Sequence, residues 1–285
     1  MIVPFPPIAA EVTLAATLLL NSMIVPETTQ TMNYEFGNGS VQIDNPMKFQ
    51  GVTLVEPKFL GAGGGGSVWA MKANANANAN TKINNDRSIN NSNKNVVVKI
   101  SWSRSTDSVR NECDILRAME RQGVTGVERC LGSMDYKYDP NRVVIAMGPL
   151  VEDDDASSLG DLTPEIALRS AIQLGETMAQ MIAANVVTTD IQPLISKSTG
   201  EVLLIDMTEA RLLNPDRFIA EGDKLLINAF CTEMLGLIPD SLLDKTSESF
   251  LKELHRIETE TGVRINGEIK EILRDLPITG VEKLL

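Results

Sequence analysis

Residues 60–72 read LGAGGGGSVWAMK, and five of these thirteen residues are glycine. Apolar, β-prone sequence flanks the glycines on both sides, with GVTLVEPKF at 51–59 and Val68, Trp69 and Met71 after them. This pattern predicts a loop that joins two strands. A P-loop is excluded, because it would lead from a strand into a helix and carry GK[ST]. A phosphate-binding loop and a flexible turn both remain open, since glycine suits either.

Composition limits the class of protein. The chain has 285 residues, of which 43% are hydrophobic, enough for a sizeable core in one large domain or two lobes. A net charge of −12 argues against a nucleic-acid partner, since no basic stripe is available to neutralise phosphates. The single histidine, His255, falls in a charged helical pattern, which excludes mechanisms that need several histidines.

Two further features bear on localisation. The apolar stretch at 8–20 is interrupted by Glu11 and is too short to span a bilayer, so no transmembrane segment is expected. Three widely spaced cysteines, Cys113, Cys130 and Cys231, match no metal or disulfide pattern. These observations favour the cytoplasm or another reducing intracellular compartment, with an organelle not excluded.

The organisation along the chain predicts an α+β protein. Residues 1–48 form an N-terminal leader or extension, and 73–95 are an Asn-rich polar tract predicted to be a disordered insertion. Within 49–150 the patterns predict strands, with one amphipathic helix at 105–123 capped by Ser or Thr. Residues 151–285 are mostly helical in pattern, starting with a long helix at 161–187.

Lys99 stands in the short apolar strand pattern VVVKI at 96–100. A buried ammonium needs a carboxylate partner, and Glu112 on the following predicted helix is the candidate. A Lys–Glu pair beside a glycine loop orients nucleotide phosphates in kinases. The alternative is an edge-strand lysine that points into solvent.

Two aspartates, Asp190 and Asp206, each follow an apolar run. Carboxylates that leave buried strands are costly unless they meet a metal, a proton or hydrogen bonds, so the pair indicates a shared site. Asp206 is the candidate Mg²⁺ ligand, and Asp190 the candidate base for an attacking hydroxyl. Each aspartate alone is equally consistent with a cap or a turn.

In this order the motifs resemble the protein-kinase-like superfamily, over residues 49–238. The matching segments are GAGGGGSV (61–68), VVK (97–99), RNECDIL (110–116), VVIAMGPL (143–150), TTDIQP (188–193) and IDMTEA (205–210). The resemblance implies a two-lobe fold with a small β-rich N-lobe carrying one helix and a reduced, mostly α C-lobe. It also implies that ATP and Mg²⁺ are the cofactors. The implied nucleotide-binding residues are Gly61, Gly63, Gly66, Val68, Val97, Lys99 and Met147.

Several positions depart from the family pattern. Thr188 and Thr189 replace His-Arg before the catalytic aspartate, and Ile195 stands where the metal-binding asparagine is expected. Residues 221–236 resemble the helix that anchors the catalytic loop, with Asp223 at the position of its buried aspartate. Only sixteen residues separate Asp206 from Asp223, too few for a full activation segment.

These departures favour an atypical member of the superfamily. We expect an ATP-binding pseudokinase or weakly active atypical kinase. One alternative is an active kinase that phosphorylates a hydroxyl of a protein or small molecule, with Lys99 and Glu112 orienting the nucleotide and Asp190 as base. A second is a nucleotide-free scaffold of the same fold. A protein partner or substrate is compatible with each, but the sequence does not identify it.

Overall fold

The structure is a computed structural model that describes residues 29–37, 39–74, 95–148, 155–156, 158–214, 219–265, 267–274 and 276. Most of the predicted leader (1–28) and of the Asn-rich insertion (75–94) lies outside the described residues. Within the predicted extension, β1 (Gln30–Phe36) and β2 (Gly39–Asn45) form an antiparallel hairpin.

A six-stranded antiparallel sheet dominates the N-terminal half. Its spatial order is β3-β4-β5-β6-β8-β7. The strands are β3 (Met47–Phe49), β4 (Val52–Ala62), β5 (Gly66–Asn74), β6 (Asn95–Ser101), β7 (Arg129–Asp135) and β8 (Val143–Gly148). Helix α1 (Thr106–Arg121) connects β6 to β7 and buries Val109, Leu116 and Met119. The strands predicted at 96–100 and in 129–147, and the helix at 105–123, are therefore confirmed.

The C-terminal half is mainly helical. The α-helices among its described residues are α2 (Pro164–Ala183), α3 (Glu221–Gly236), α4 (Leu243–Glu260) and α5 (Gly267–Arg274). Its short strands are β9 (Asp155–Ala156), β10 (Val186–Val187), β11 (Gln192–Ser196), β12 (Val202–Ile205) and β13 (Arg211–Leu212). They pair as a β12-β11-β9 sheet and a β10-β13 pair.

Helix α2 begins at Pro164, whose missing N–H and fixed φ suit the first helical turn. It packs closely on α4, because Gly175 has no side chain: a Cβ there would collide with the main-chain oxygen of Thr246. The helix ends at Ala183, earlier than the predicted 187, since the chain turns through Asn185 at a positive φ of 57°.

Two hydrophobic clusters form the core. One lies between the hairpin and the sheet and contains Phe49, Trp69 and Trp102. The other joins α1 and β8 to the helical half, so that Met119 and Ile145 share a cluster with Phe230 on α3. Because the second cluster spans both halves, burial of its apolar surface holds them in one arrangement. The predicted α+β class is confirmed.

No single helix among the described residues has the length and apolar character of a membrane span. Only α3 taken together with residues 240–260 reaches that length and composition, and this pair is bent by 99° at its break.

Candidate functional site

A cleft of about 1110 Å³ separates the sheet from the β11–β12 region. Strands β4, β5 and β6 form one wall, and Asp190, Gln192, Leu194, Ile205 and Asp206 lie on the other. Small-molecule sites usually enclose about 300–1,000 Å³, so the cleft is large enough for a nucleotide.

The glycine-rich loop borders this cleft. A Cβ at Gly61 or Gly63 would meet nothing within 4 Å, so a ligand could approach the backbone there. Gly66 is required for a different reason, because a Cβ there would collide with the Ile100 carbonyl on β6. A Cβ at Gly65 would lie 3.3 Å from Cε of Lys99, which shows that the loop rests against the lysine.

Three consecutive glycine carbonyls of the loop accept hydrogen bonds from the turn that leads into α1. The Trp102 side chain donates to Gly63 (2.7 Å), and its main-chain N–H donates to Gly65 (3.1 Å). The Ser105 hydroxyl donates to Gly64 (2.9 Å). The predicted capping of α1 by a hydroxyl is wrong: Ser105 is the N-cap residue, but its side chain makes no cap hydrogen bond.

Lys99 lies at the centre of a polar cluster and is only 4% exposed. Its ammonium is 2.9 Å from Oε2 of Glu112, 2.7 Å from Oδ1 of Asp206 and 2.8 Å from Oγ1 of Thr208. The Thr208 hydroxyl also contacts Glu112 (3.2 Å) and Asp206. An ammonium has three N–H donors, so these oxygens satisfy it completely.

Lys99 and Asp206 stabilise each other's charged forms in this cluster. Burial alone would lower the pKa of Lys99, but the carboxylates of Glu112 and Asp206 outweigh burial and raise it above its usual value. For Asp206, burial is likewise outweighed by Lys99 and Thr208, so its pKa falls below the usual range. Lys99 and Asp206 therefore form an ion pair at neutral pH.

Glu128 is a cleft residue that the sequence analysis missed. It is 4% exposed, and its Oε1 accepts the main-chain N–H of Asp206 at 3.2 Å. Burial, followed by the nearby charge of Glu112, raises the pKa of Glu128 to about 8. Glu128 is therefore protonated at neutral pH, and burial raises the pKa of Glu112 as well, against the opposing effect of Lys99.

Asp190 lies on the cleft wall with an exposed side chain. Both of its carboxylate oxygens accept from the amide of Gln192, at 3.2 and 3.1 Å. Buried Thr188 accepts the main-chain N–H of Asp190 at 3.3 Å, which fixes the backbone of this turn. Asp190 is therefore open to a ligand, whereas Asp206 is held by neighbouring side chains.

The other predicted residues divide between the cleft and the core. Val68 and Val97 line the cleft. Met147 pairs with Val97 across β6 and β8 and is 3% exposed, within the core. Asp223 is half-buried, so the prediction that it is a buried anchor is wrong.

For Mg²⁺, Asp206 is the available ligand. Its Oδ1 contacts Lys99 and Thr208, and its side chain is 36% exposed. No cluster of three or more His, Cys, Asp or Glu side chains suited to a metal occurs among the described residues.

Cys113 and Cys130 form a disulfide, with Cα atoms 5.2 Å apart. The cysteine spacing gave no indication of this bond. The cysteines therefore no longer favour a reducing compartment, because disulfides persist in oxidising environments. The bond joins α1, next to Glu112, to β7, two residues after Glu128.

In comparisons with known proteins, no family model and no curated protein matches this chain.

Proposed function

We propose that this chain is an ATP-binding, protein-kinase-like protein, either a pseudokinase or a weakly active atypical kinase. The observation that carries the proposal is Lys99, held between Glu112 and Asp206 beside a glycine-rich loop and a nucleotide-sized cleft. The order of elements agrees with a reduced two-lobe kinase fold: an antiparallel sheet with one helix, followed by a mostly helical half.

Each wall of the cleft has a role in this proposal. Val68, Ala70 and Val97 supply an apolar surface for a base, and the open backbone at Gly61 and Gly63 faces the phosphates. Lys99 neutralises phosphate charge, and Glu112 keeps it charged and in place. Asp206 would hold Mg²⁺, and the ion would supply positive charge against the charge that develops on a transferred phosphoryl group.

Two observations favour weak or absent transfer. Ile195, at the position expected for a metal-binding asparagine, is 1% exposed and paired with Val202 in β11 and β12, so it contributes no ligand. Loss of a group that stabilises the transition state costs about 10²–10³ in rate. In addition, all three N–H groups of Lys99 are already satisfied by protein oxygens, so a phosphate must displace one of them.

Specific observations also favour each alternative. An active kinase would use Asp190, because its carboxylate is exposed on the cleft and oriented by Gln192, as a base requires. A nucleotide-free scaffold would leave Lys99 satisfied and the loop resting on it, as in the present conformation.

The test is a thermal-melt series on the purified protein without ligand, with ATP and EDTA, and with ATP and Mg²⁺. ATP at about 100-fold over Kd adds about 2.7 kcal/mol, and should raise the Tm by about 5 °C. Lys99→Met should lose this rise, whereas Lys252→Met, on the exposed surface of α4, should keep it. If saturating ATP does not raise the Tm of the wild type, both nucleotide-binding proposals fail and the nucleotide-free scaffold is the one that remains.

Phosphate transfer is measured separately. Release of γ-phosphate, or labelling of the protein itself, from γ-labelled ATP should be weak or absent in the wild type. Transfer at ordinary kinase rates of about 1–100 s⁻¹ that disappears in Asp190→Asn would instead establish the active kinase.

A further inference from the structure

Asp206 adopts an unusual backbone conformation for a residue with a side chain. Its φ of 57° and ψ of 64° lie in the left-handed region. A non-glycine residue pays a steric penalty there of about 1–2 kcal/mol, so neighbouring contacts must stabilise it. The side chain is held by Lys99 and Thr208, and the main-chain N–H is held by Glu128.

The contact with Glu128 extends a short parallel ladder. Val127 pairs in parallel with Leu204 on β12. Leu204 N–H donates to the Gly126 carbonyl at 2.8 Å, and Glu128 N–H donates to the Leu204 carbonyl at 3.0 Å. In a parallel ladder, the next hydrogen bond would run from Asp206 N–H to the main-chain carbonyl of Glu128.

The side chain of Glu128 supplies this next acceptor instead. Its Oε1 receives the Asp206 N–H at 3.2 Å, in place of the main-chain carbonyl. After Glu128 the chain leaves β12 and enters β7 of the six-stranded sheet. Without the carboxyl group, the N–H of Asp206 would lose its acceptor at the residue where the backbone is strained.

We propose that Glu128 is a positioning residue: by accepting the main-chain N–H of Asp206, it holds the left-handed turn that directs the Asp206 carboxylate to Lys99 and the cleft. The consequence for Mg²⁺·ATP rests on the proposed function. Glu128 itself lines the cleft, but its role is exerted through Asp206.

Three substitutions distinguish the hydrogen-bond acceptor from the ionisable proton and from side-chain length. Glu128→Gln keeps an acceptor oxygen at the same reach and cannot ionise. Glu128→Met keeps the length and removes the acceptor. Glu128→Asp keeps a carboxyl group but is one methylene too short. Glu56→Gln is the matched control, since Glu56 lines the same cleft in an exposed pair with Lys72.

The first readout needs no nucleotide. Amide hydrogen exchange at Asp206 should be about tenfold faster in Glu128→Met and Glu128→Asp, as expected for the loss of one buried hydrogen bond. Glu128→Gln and Glu56→Gln should exchange at the wild-type rate. Amides of α4, far along the chain, should be unchanged in all four, which separates a local effect from global destabilisation.

The second readout is the Mg²⁺-dependent part of ATP binding, taken as the Kd with EDTA divided by the Kd with Mg²⁺. This ratio should fall in Glu128→Met towards its value in Asp206→Asn, while Kd in EDTA stays close to wild type. Glu128→Gln should restore the ratio.

The outcomes for Glu128 and for the proposed function are distinct. Wild-type exchange at Asp206 in Glu128→Met, or equally fast exchange in Glu128→Gln, would overturn the positioning role, whatever the protein binds. If the wild type binds no ATP, the nucleotide function fails, and the exchange rates still decide the role of Glu128. If Glu128→Met does not fold, the comparison of Glu128→Asp with Glu128→Gln decides it.

Discussion

The hydroxyl of Thr208 lies 2.8 Å from the ammonium of Lys99 and bridges it to both carboxylates that neutralise it. The hydroxyl oxygen accepts from Lys99, and its one proton is shared between Asp206 and Glu112. Thr208 therefore takes one of the three positions around the ammonium, the one at which a phosphate oxygen could enter without breaking an ion pair.

Thr208→Val should lower the free energy of unfolding by about 1 kcal/mol, because it removes this hydroxyl and keeps the shape of the side chain. Thr208→Ser keeps the hydroxyl and should stay within a few tenths of a kcal/mol of wild type. Urea denaturation monitored by circular dichroism measures both. Equal stability of Thr208→Val and wild type would show that the bridge is not stabilising.

The sequence predicted those parts of the site that depend on local pattern. Lys99 was recognised because an ammonium between valines needs a partner, and Glu112 because it lies on the adjacent helix. Glu128 and Thr208 were missed, because their contacts join segments 78 and more than 90 residues apart. No spacing rule predicts such contacts before the tertiary fold is known.

The other errors have similar physical causes. Ser105 has the sequence signature of a helix cap, but its hydroxyl donates instead to the Gly64 carbonyl, which the tertiary fold brings close. Cys113 and Cys130 lie on different elements, and a separation of 17 residues between a helix and a strand has no disulfide signature. The fold class, in contrast, followed from apolar periodicity, which each segment carries by itself.

Val97→Phe should block the cleft without changing its charge. Val97 is half-buried on the cleft wall, and a phenyl ring there would occupy the apolar part of the proposed base site. The rise in Tm with Mg²⁺·ATP should be lost, while the Tm without ligand changes little. Val263→Phe, at a 40% exposed position near the end of α4, is the size-matched control and should keep the rise. An unchanged rise in Tm in Val97→Phe would show that the base of the nucleotide does not bind against this wall of the cleft.

Reduction of the Cys113–Cys130 disulfide should lower the free energy of unfolding by about 3 kcal/mol, from the entropy of the loop of 17 residues that it closes. Cys113→Ser with Cys130→Ser should reproduce the loss and make stability insensitive to dithiothreitol. Cys231→Ser is the control, because Cys231 is a free buried thiol, and should keep that sensitivity. Equal wild-type stability with and without reductant would contradict a disulfide in the purified protein.

Stability should also depend on pH through Glu128. Its pKa is raised to about 8 in the folded protein, against about 4.3 for an exposed glutamate. The folded state binds this proton more tightly, so the stabilisation is complete below about pH 4.3 and is lost as the pH rises towards 8. One pKa unit corresponds to about 1.4 kcal/mol, so the effect amounts to a few kcal/mol.

Glu128→Gln cannot ionise and should not lose this stability. The free energy of unfolding of Glu128→Gln, compared with wild type, should therefore rise from about pH 5 to about pH 8 and level off above. Urea denaturation in EDTA without nucleotide measures the difference at each pH. A difference that is constant across this range would show that the pKa of Glu128 is not raised.

The hydrogen bonds from Trp102 and Ser105 to three successive glycine carbonyls couple the glycine-rich loop to the start of α1, so that the two move together. Glu112 lies on the same helix, so a ligand that displaces the loop also changes the geometry of the Lys99–Glu112 salt bridge. By thermodynamic linkage, a protein that binds and shifts α1 changes the affinity of the cleft by the same factor as the cleft's ligand changes the affinity for that protein. If the proposed nucleotide binding holds, this coupling would let the chain signal the occupancy of its cleft to a protein bound at α1, even without phosphate transfer.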